Sequence, residues 1–182
     1  KAKAFTWFLT NVPKDIDALL LEGTMMGQER KATRKEEDIE SDIGKVLSET
    51  PGLALIMMSA HNIDRIVSVY KAAKDADRTF IIDIYTANVL NILKGLGRIP
   101  DPLNGFKNIK VFYPRFLSNK LADVDIQQFL YRFKPYKVAK KEISEEPEKY
   151  VMMVRPTMTS DLQNVNGING ATGATGPAGA IG

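Results

Sequence analysis

Leu53-Ala54-Leu55-Ile56-Met57-Met58 runs straight into Ser59-Ala60-His61-Asn62 and then into Ile63-Asp64-Arg65-Ile66-Val67. The first six residues form an unbroken apolar stretch of strand length. A strand with one wet face would alternate; a continuous run suits a parallel sheet covered on both faces. Pro51-Gly52 stands before the run as a break. Behind it Asn62 is placed to cap a helix. Ile63, Ile66, Val67 and Tyr70 follow at helical spacing, so the segment reads as strand, turn and helix.

The same unit recurs on either side. Phe80–Ile84 is predicted as a strand, and Thr86 as the start of a helix carrying Val89, Leu90 and Leu93, with Gly95 near its end. Ile109–Tyr113 is another strand, Ala122–Phe133 an amphipathic helix, and Tyr150–Val154 a last strand closed by Arg155-Pro156. Upstream, Thr33 and Glu36 have capping-box spacing ahead of a helix with Ile39, Ile43, Val46 and Leu47 on its apolar face. Asp17–Glu22 reads as a short buried strand, and Lys1–Thr10 as a helix broken by Val12-Pro13. Strands separated by helical stretches predict an α/β fold: an open, mainly parallel sheet with helices on both faces, Rossmann-like in outline.

Composition narrows the chemistry. The 182 residues are 44% hydrophobic and 26% charged, as in ordinary globular domains. With no cysteine there is no disulfide, zinc–thiolate site or cysteine nucleophile. His61 is the only histidine, too few for a zinc site of the usual kind. No Gly-x-Ser-x-Gly elbow, dinucleotide fingerprint or Walker A loop occurs. Apolar runs fall far short of the roughly 20 residues that cross a bilayer, so no membrane partner is expected. The first residue is Lys1, which suggests a start further upstream and a truncated domain. At the other end glycine recurs at every third place from Gly167 to Gly182, a collagen-like Gly-X-Y run. The expected organisation is an α/β domain over 1–162 and a disordered tail over 163–182.

Ligands of open parallel sheets sit beyond the carboxyl ends of the strands. Those ends hold Glu22-Gly23-Thr24, Ser59–Asn62, Asp83–Thr86, Tyr113–Arg115 and Arg155–Met158. Glu22 closes an apolar strand, where a carboxylate must be solvated, paired or hydrogen-bonded. It is either a site residue or an acceptor for loop N–H groups. The Ser59–Arg65 turn offers helix N–H groups and Arg65 to a phosphate, or else Asn62 is simply a cap. Asp83 can accept N–H bonds of the next helix, and Tyr85 can pack or meet a ligand. Arg132, Lys134, Lys137, Lys140 and Lys141 interleave with Tyr131, Phe133 and Tyr136. That mixture suits either single-stranded RNA or a solvated edge of amphipathic lysines.

Together LLLEGT at 19–24, the 57–90 segment MMSAHNIDRIVSVYKAAKDADRTFIIDIYTANVL and YVMMVRPTM at 150–158 resemble the β-CASP region of RNA-processing metallo-β-lactamase-fold hydrolases, the ribonuclease J-like superfamily. The resemblance covers roughly residues 1–162. It implies a fragment of a metal-dependent hydrolase whose full-length parent cleaves RNA phosphodiesters, this segment clamping the RNA. Glu22 matches the family's motif A acid and is the implied catalytic residue; Thr24, Ser59, His61, Asn62, Arg65 and Tyr85 are the implied substrate-binding residues. Zinc is expected in the parent and none in this chain, which alone is expected to be inactive. The implied partners are RNA or another nucleic acid, a metallo-β-lactamase core in cis and, in the parent, a second copy, in the cytoplasm. The alternative is a non-catalytic module that binds nucleic acid or protein.

Overall fold

A computed structural model describes residues 2–18, 35–123, 127–163 and 165. Of the buried strand predicted over Asp17–Glu22, Asp17 and Ala18 are exposed and belong to no strand, while residues 19–22 (Glu22 among them), Thr24 and the Gly-X-Y run lie outside the described residues. The chain divides into two compact units, Lys1–Thr33 and Arg34–Gly182. In the first, helix α1 (Ala2–Asn11) stops as the sequence predicts. The Thr10 hydroxyl and the Asn11 side-chain amide both donate to the Trp7 carbonyl, at 2.9 and 2.8 Å, and Pro13 follows.

The second unit is an α/β layer structure. Its elements are α2 (Glu36–Glu49), β1 (Ala54–Met57), α3 (Ile63–Asp75), β2 (Thr79–Asp83) and α4 (Ile84–Ile92). After these come β3 (Ile109–Phe112), α5 (Arg115–Asp123), α6 (Gln127–Arg132), α7 (Lys140–Glu145), β4 (Tyr150–Val154) and α8 (Thr159–Leu162). The four strands form one all-parallel sheet in the order β1-β4-β2-β3. Alternate residues of each strand feed two apolar layers. Phe80, Ile82, Val111, Val151 and Met153 meet Leu47, Ile66, Val69 and Leu90 on one face. Ile81, Phe112, Met152 and Val154 meet Val138, Ile143, Met158 and Val165 on the other. Burying each large side chain is worth about 1.5–3 kcal/mol, so both layers are needed to offset the entropy of ordering the sheet.

The crossovers explain where a site can form. From β1 to β2 and from β2 to β3 the chain passes over the first face, through α3 and α4. It then rounds the β3 edge, where Val138 N–H donates to the Val111 carbonyl at 3.0 Å. It returns over the second face, through Val138 and Ile143, to insert β4 between β1 and β2. Direction of travel and covered face reverse together, as a constant crossover hand demands.

Four expectations need correction. The helix expected over Ala122–Phe133 ends at Arg132, with Phe133 beyond α6 as a buried core residue; residues 124–126, between α5 and α6, lie outside the described residues. The helix after β2 starts at Ile84, because the Asp83 carboxylate, not a later residue, accepts the Thr86 N–H at 2.6 Å. Helix α2 starts at Glu36, and its N-terminal bond runs from Lys35 N–H to the Asp38 carboxylate at 3.2 Å, displacing the expected Thr33–Glu36 box by two residues. On α3, Val69 is fully buried where Val67 is only partly so, since the core-facing stripe leans one turn position further round.

Candidate functional site at the carboxyl edge of the sheet

Connections leaving β1 and β2 go to one face, and the segment leaving β4 between them goes to the other, where Met158 and Val165 are buried. Such a divergence opens a crevice beyond the strand ends. The crevice is present: a cleft of about 270 Å³ to which all four strands contribute. Ser59, Ala60 and His61 come from the end of β1, and Asp83 and Tyr85 from β2. Pro114, Phe116 and Leu117 follow β3, while Arg155, Thr157 and Met158 follow β4.

Arg155 stands at the centre of this set. Its Nε pairs with Oδ2 of Asp83, whose side chain is 1% exposed. Its Nη2 donates to the Thr86 hydroxyl at 3.2 Å, and its guanidinium carbon lies 5.1 Å from the Tyr85 ring centroid. Asp83 thus serves two groups, since its other oxygen caps α4. These contacts fix the guanidinium plane, and Nη1 has no partner among the described residues. A fixed guanidinium with donors to spare is a good receptor for a phosphate or carboxylate.

Next to it His61 Nε2 and the Tyr85 hydroxyl are 3.0 Å apart, with the rings edge to face at 6.1 Å between centroids. Both side chains are exposed. The Ser59 hydroxyl accepts the His61 N–H at 3.2 Å and so shapes the turn. Whichever ring nitrogen of His61 carries the proton, the pair presents a polar donor-acceptor edge to the cleft. The wall opposite is apolar, with Phe116 65% exposed.

The structure therefore brings Ser59, His61 and Tyr85 together. It does not bring Asn62 and Arg65 with them. Asn62 spends its side chain as the α3 cap, accepting the Arg65 N–H at 3.1 Å. Arg65 pairs with Glu36 of α2 at 3.3 Å, and Ser68 also donates to that carboxylate. Asp83 accepts the helix N–H bond expected of it; what the sequence reading misses is Arg155 and its pairing with Asp83. A signal was present: a basic residue directly after the buried run YVMMV has to sit at the sheet's edge.

No three His, Asp or Glu side chains converge into a metal site among the described residues. The cleft offers one histidine, and its one carboxylate is already held by Arg155 and a helix N–H, so this donor set does not fit zinc. No helix among the described residues is long and apolar enough to cross a membrane. No protein-family model, curated protein or solved structure matches this chain.

Proposed function

We propose that this segment grips the RNA phosphodiester in a hydrolase of the metallo-β-lactamase/β-CASP type, while other residues of the parent supply the metals and the cleavage. The observation that carries the reading is Arg155, fixed by Asp83 and Thr86 at the crevice between diverging crossovers. A phosphate oxygen would take the free face of the guanidinium, and the His61–Tyr85 edge would take a second oxygen or a ribose hydroxyl. The exposed Phe116 would pack against a base or sugar. The cleft supplies binding and orientation and no nucleophile of its own.

The test is cleavage of single-stranded RNA by the zinc-loaded full-length parent, with Arg155→Lys beside it. The lysine keeps the charge beside Asp83 and loses the planar fork. Cleavage that weakens about tenfold or more in the variant supports the reading. A zinc-loaded parent that leaves RNA uncut overturns it. In that case RNA binding that weakens steeply with salt would favour the second reading, a non-catalytic nucleic-acid module.

A further inference from the structure

A second cleft, of about 510 Å³, opens beside α5 and α6 and shares no lining residue with the first. Arg115, Lys134, Lys137 and Lys140 line it against one carboxylate, Asp161. That carboxylate is buried and largely spent. It accepts the Arg115 N–H at 3.1 and 3.2 Å, capping α5, and lies 3.8 Å from the Lys140 ammonium. Lys134 and Lys137 have no carboxylate partner among the described residues. The Lys137 ammonium instead sits 5.0 Å from the Tyr113 ring centroid.

Two further features point to a ligand rather than to loose surface lysines. Tyr131 lines the cleft while 65% exposed, a large aromatic face left to water. Ser118, also at the cleft, has a buried hydroxyl oxygen with no hydrogen-bond partner among the described residues. The backbone is rigid here, since Lys134–Tyr136 is a 3-10 turn and Lys137 bridges to Val111 of the sheet. Cations that line one cleft with an exposed ring match the spacing problem of a single strand, which alternates charged phosphates with flat bases.

We propose that this cleft binds a stretch of single-stranded polynucleotide, with Lys134 and Lys137 on successive phosphates and a base stacked on Tyr131. The identity of the strand as RNA rests on the function proposed above; the binding itself needs neither metal nor cleavage. Bases are read by their faces, so the preference for sequence is weak.

The experiment is anisotropy titration of the 182-residue chain with a fluorescent 12-mer of oligouridylate across a salt series, with inorganic polyphosphate as a second probe. Lys134→Gln/Lys137→Gln is expected to weaken oligouridylate binding about tenfold or more. It should also flatten the slope of log K against log salt by about 1.4, at roughly 0.7 per phosphate contact on a single strand. Tyr131→Ala is expected to weaken oligouridylate about fivefold or more with the slope and the polyphosphate affinity unchanged, and Tyr131→Phe to restore it. An unchanged slope in the double lysine variant overturns the proposal. A Tyr131→Ala variant that binds oligouridylate normally overturns it too, leaving a bare polyanion site. Should the double variant fail to fold, Lys134→Gln alone gives half the slope change. Arg155→Lys in the same titration separates the two readings: weakening there, with none in the lysine variants, defeats this cleft and spares the proposed function.

Discussion

The guanidinium of Arg155 is held by the buried carboxylate of Asp83, so the last residue of β2 fixes the first residue beyond β4. The two partners are unequal, because Asp83 is 1% exposed and Arg155 31%. Removing the arginine strands a buried charge, whereas removing the aspartate lets the arginine turn to water. Arg155→Gln should therefore cost about 3 kcal/mol. Asp83→Ala should cost about 2 kcal/mol, much of it the lost α4 cap. Urea unfolding of both variants checks the order; an aspartate variant less stable than the arginine one would show that the carboxylate has another partner.

Arg78 is a structural cation with no ligand role. It is 7% exposed. It donates to the carbonyls of Leu47, Thr50, Gly52 and Tyr150, and so closes the carboxyl end of α2 onto β4. Burial pulls its pKa down, and the Glu148 charge partly opposes that. Arg78→Met fills similar space and leaves those carbonyls without a donor. The expected loss is about 3 kcal/mol, at one or more per stranded acceptor after partial rehydration. Arg78→Lys, with three donors and no fork, should recover only part. Chemical denaturation reads both, and a methionine variant within about 1 kcal/mol of the parent would show that water reaches these carbonyls.

The parallel sheet was legible because LALIMM, FII and YVMMV are continuous apolar runs, set between breakers and helical stretches, as strands covered on both faces require. Asn62 was legible as a cap because its role is local. The strand order was not, since nothing within Tyr150–Val154 says that it inserts between β1 and β2. That long-range fact makes the edge site: it sets Arg155 beside Asp83, 72 residues earlier. Arg65 misled for the same reason, as its partner Glu36 lies 29 residues away on a helix whose packing spacing alone cannot place. Phe133 reads as part of α6 because Phe129, Leu130 and Phe133 keep helical spacing past the helix end at Arg132.

Asp77 occupies a position that favours glycine. Helix α3 ends in a Schellman motif, with Asp77 N–H donating to the Lys74 carbonyl at 3.1 Å and Arg78 N–H to that of Ala73 at 2.8 Å. The motif puts Asp77 at φ 54°, in the left-handed region. Asp77→Gly should raise stability by about 0.5–1 kcal/mol, read as a higher melting temperature. A lower one would mean that the Asp77 carboxylate contributes more than its backbone strain costs.

Three tyrosines tie stability to alkaline pH. Burial pushes the phenols of Tyr70, Tyr113 and Tyr150 above the ordinary value of 10.0, and for Tyr150 the charge of Glu142 adds to the effect. Tyr70 donates to the Lys107 carbonyl at 2.8 Å and Tyr113 to that of Leu130 at 2.7 Å, bonds that only the protonated phenol can make. Below pH 10 both folded and unfolded chains keep these protons, and the contribution is fully present. As pH rises past 10 the unfolded chain releases them first, so folding stability falls through the raised native values. Tyr70→Phe removes one such group. It should lose about 1 kcal/mol at neutral pH, the worth of one hydrogen bond, and then decline less steeply than the parent above pH 10. Lysines titrate in the same range, but they are common to both proteins, so the difference between the two urea-unfolding curves isolates Tyr70. A gap between parent and variant that stays constant above pH 10 would show that Tyr70 ionises as easily in the folded chain as in the unfolded one.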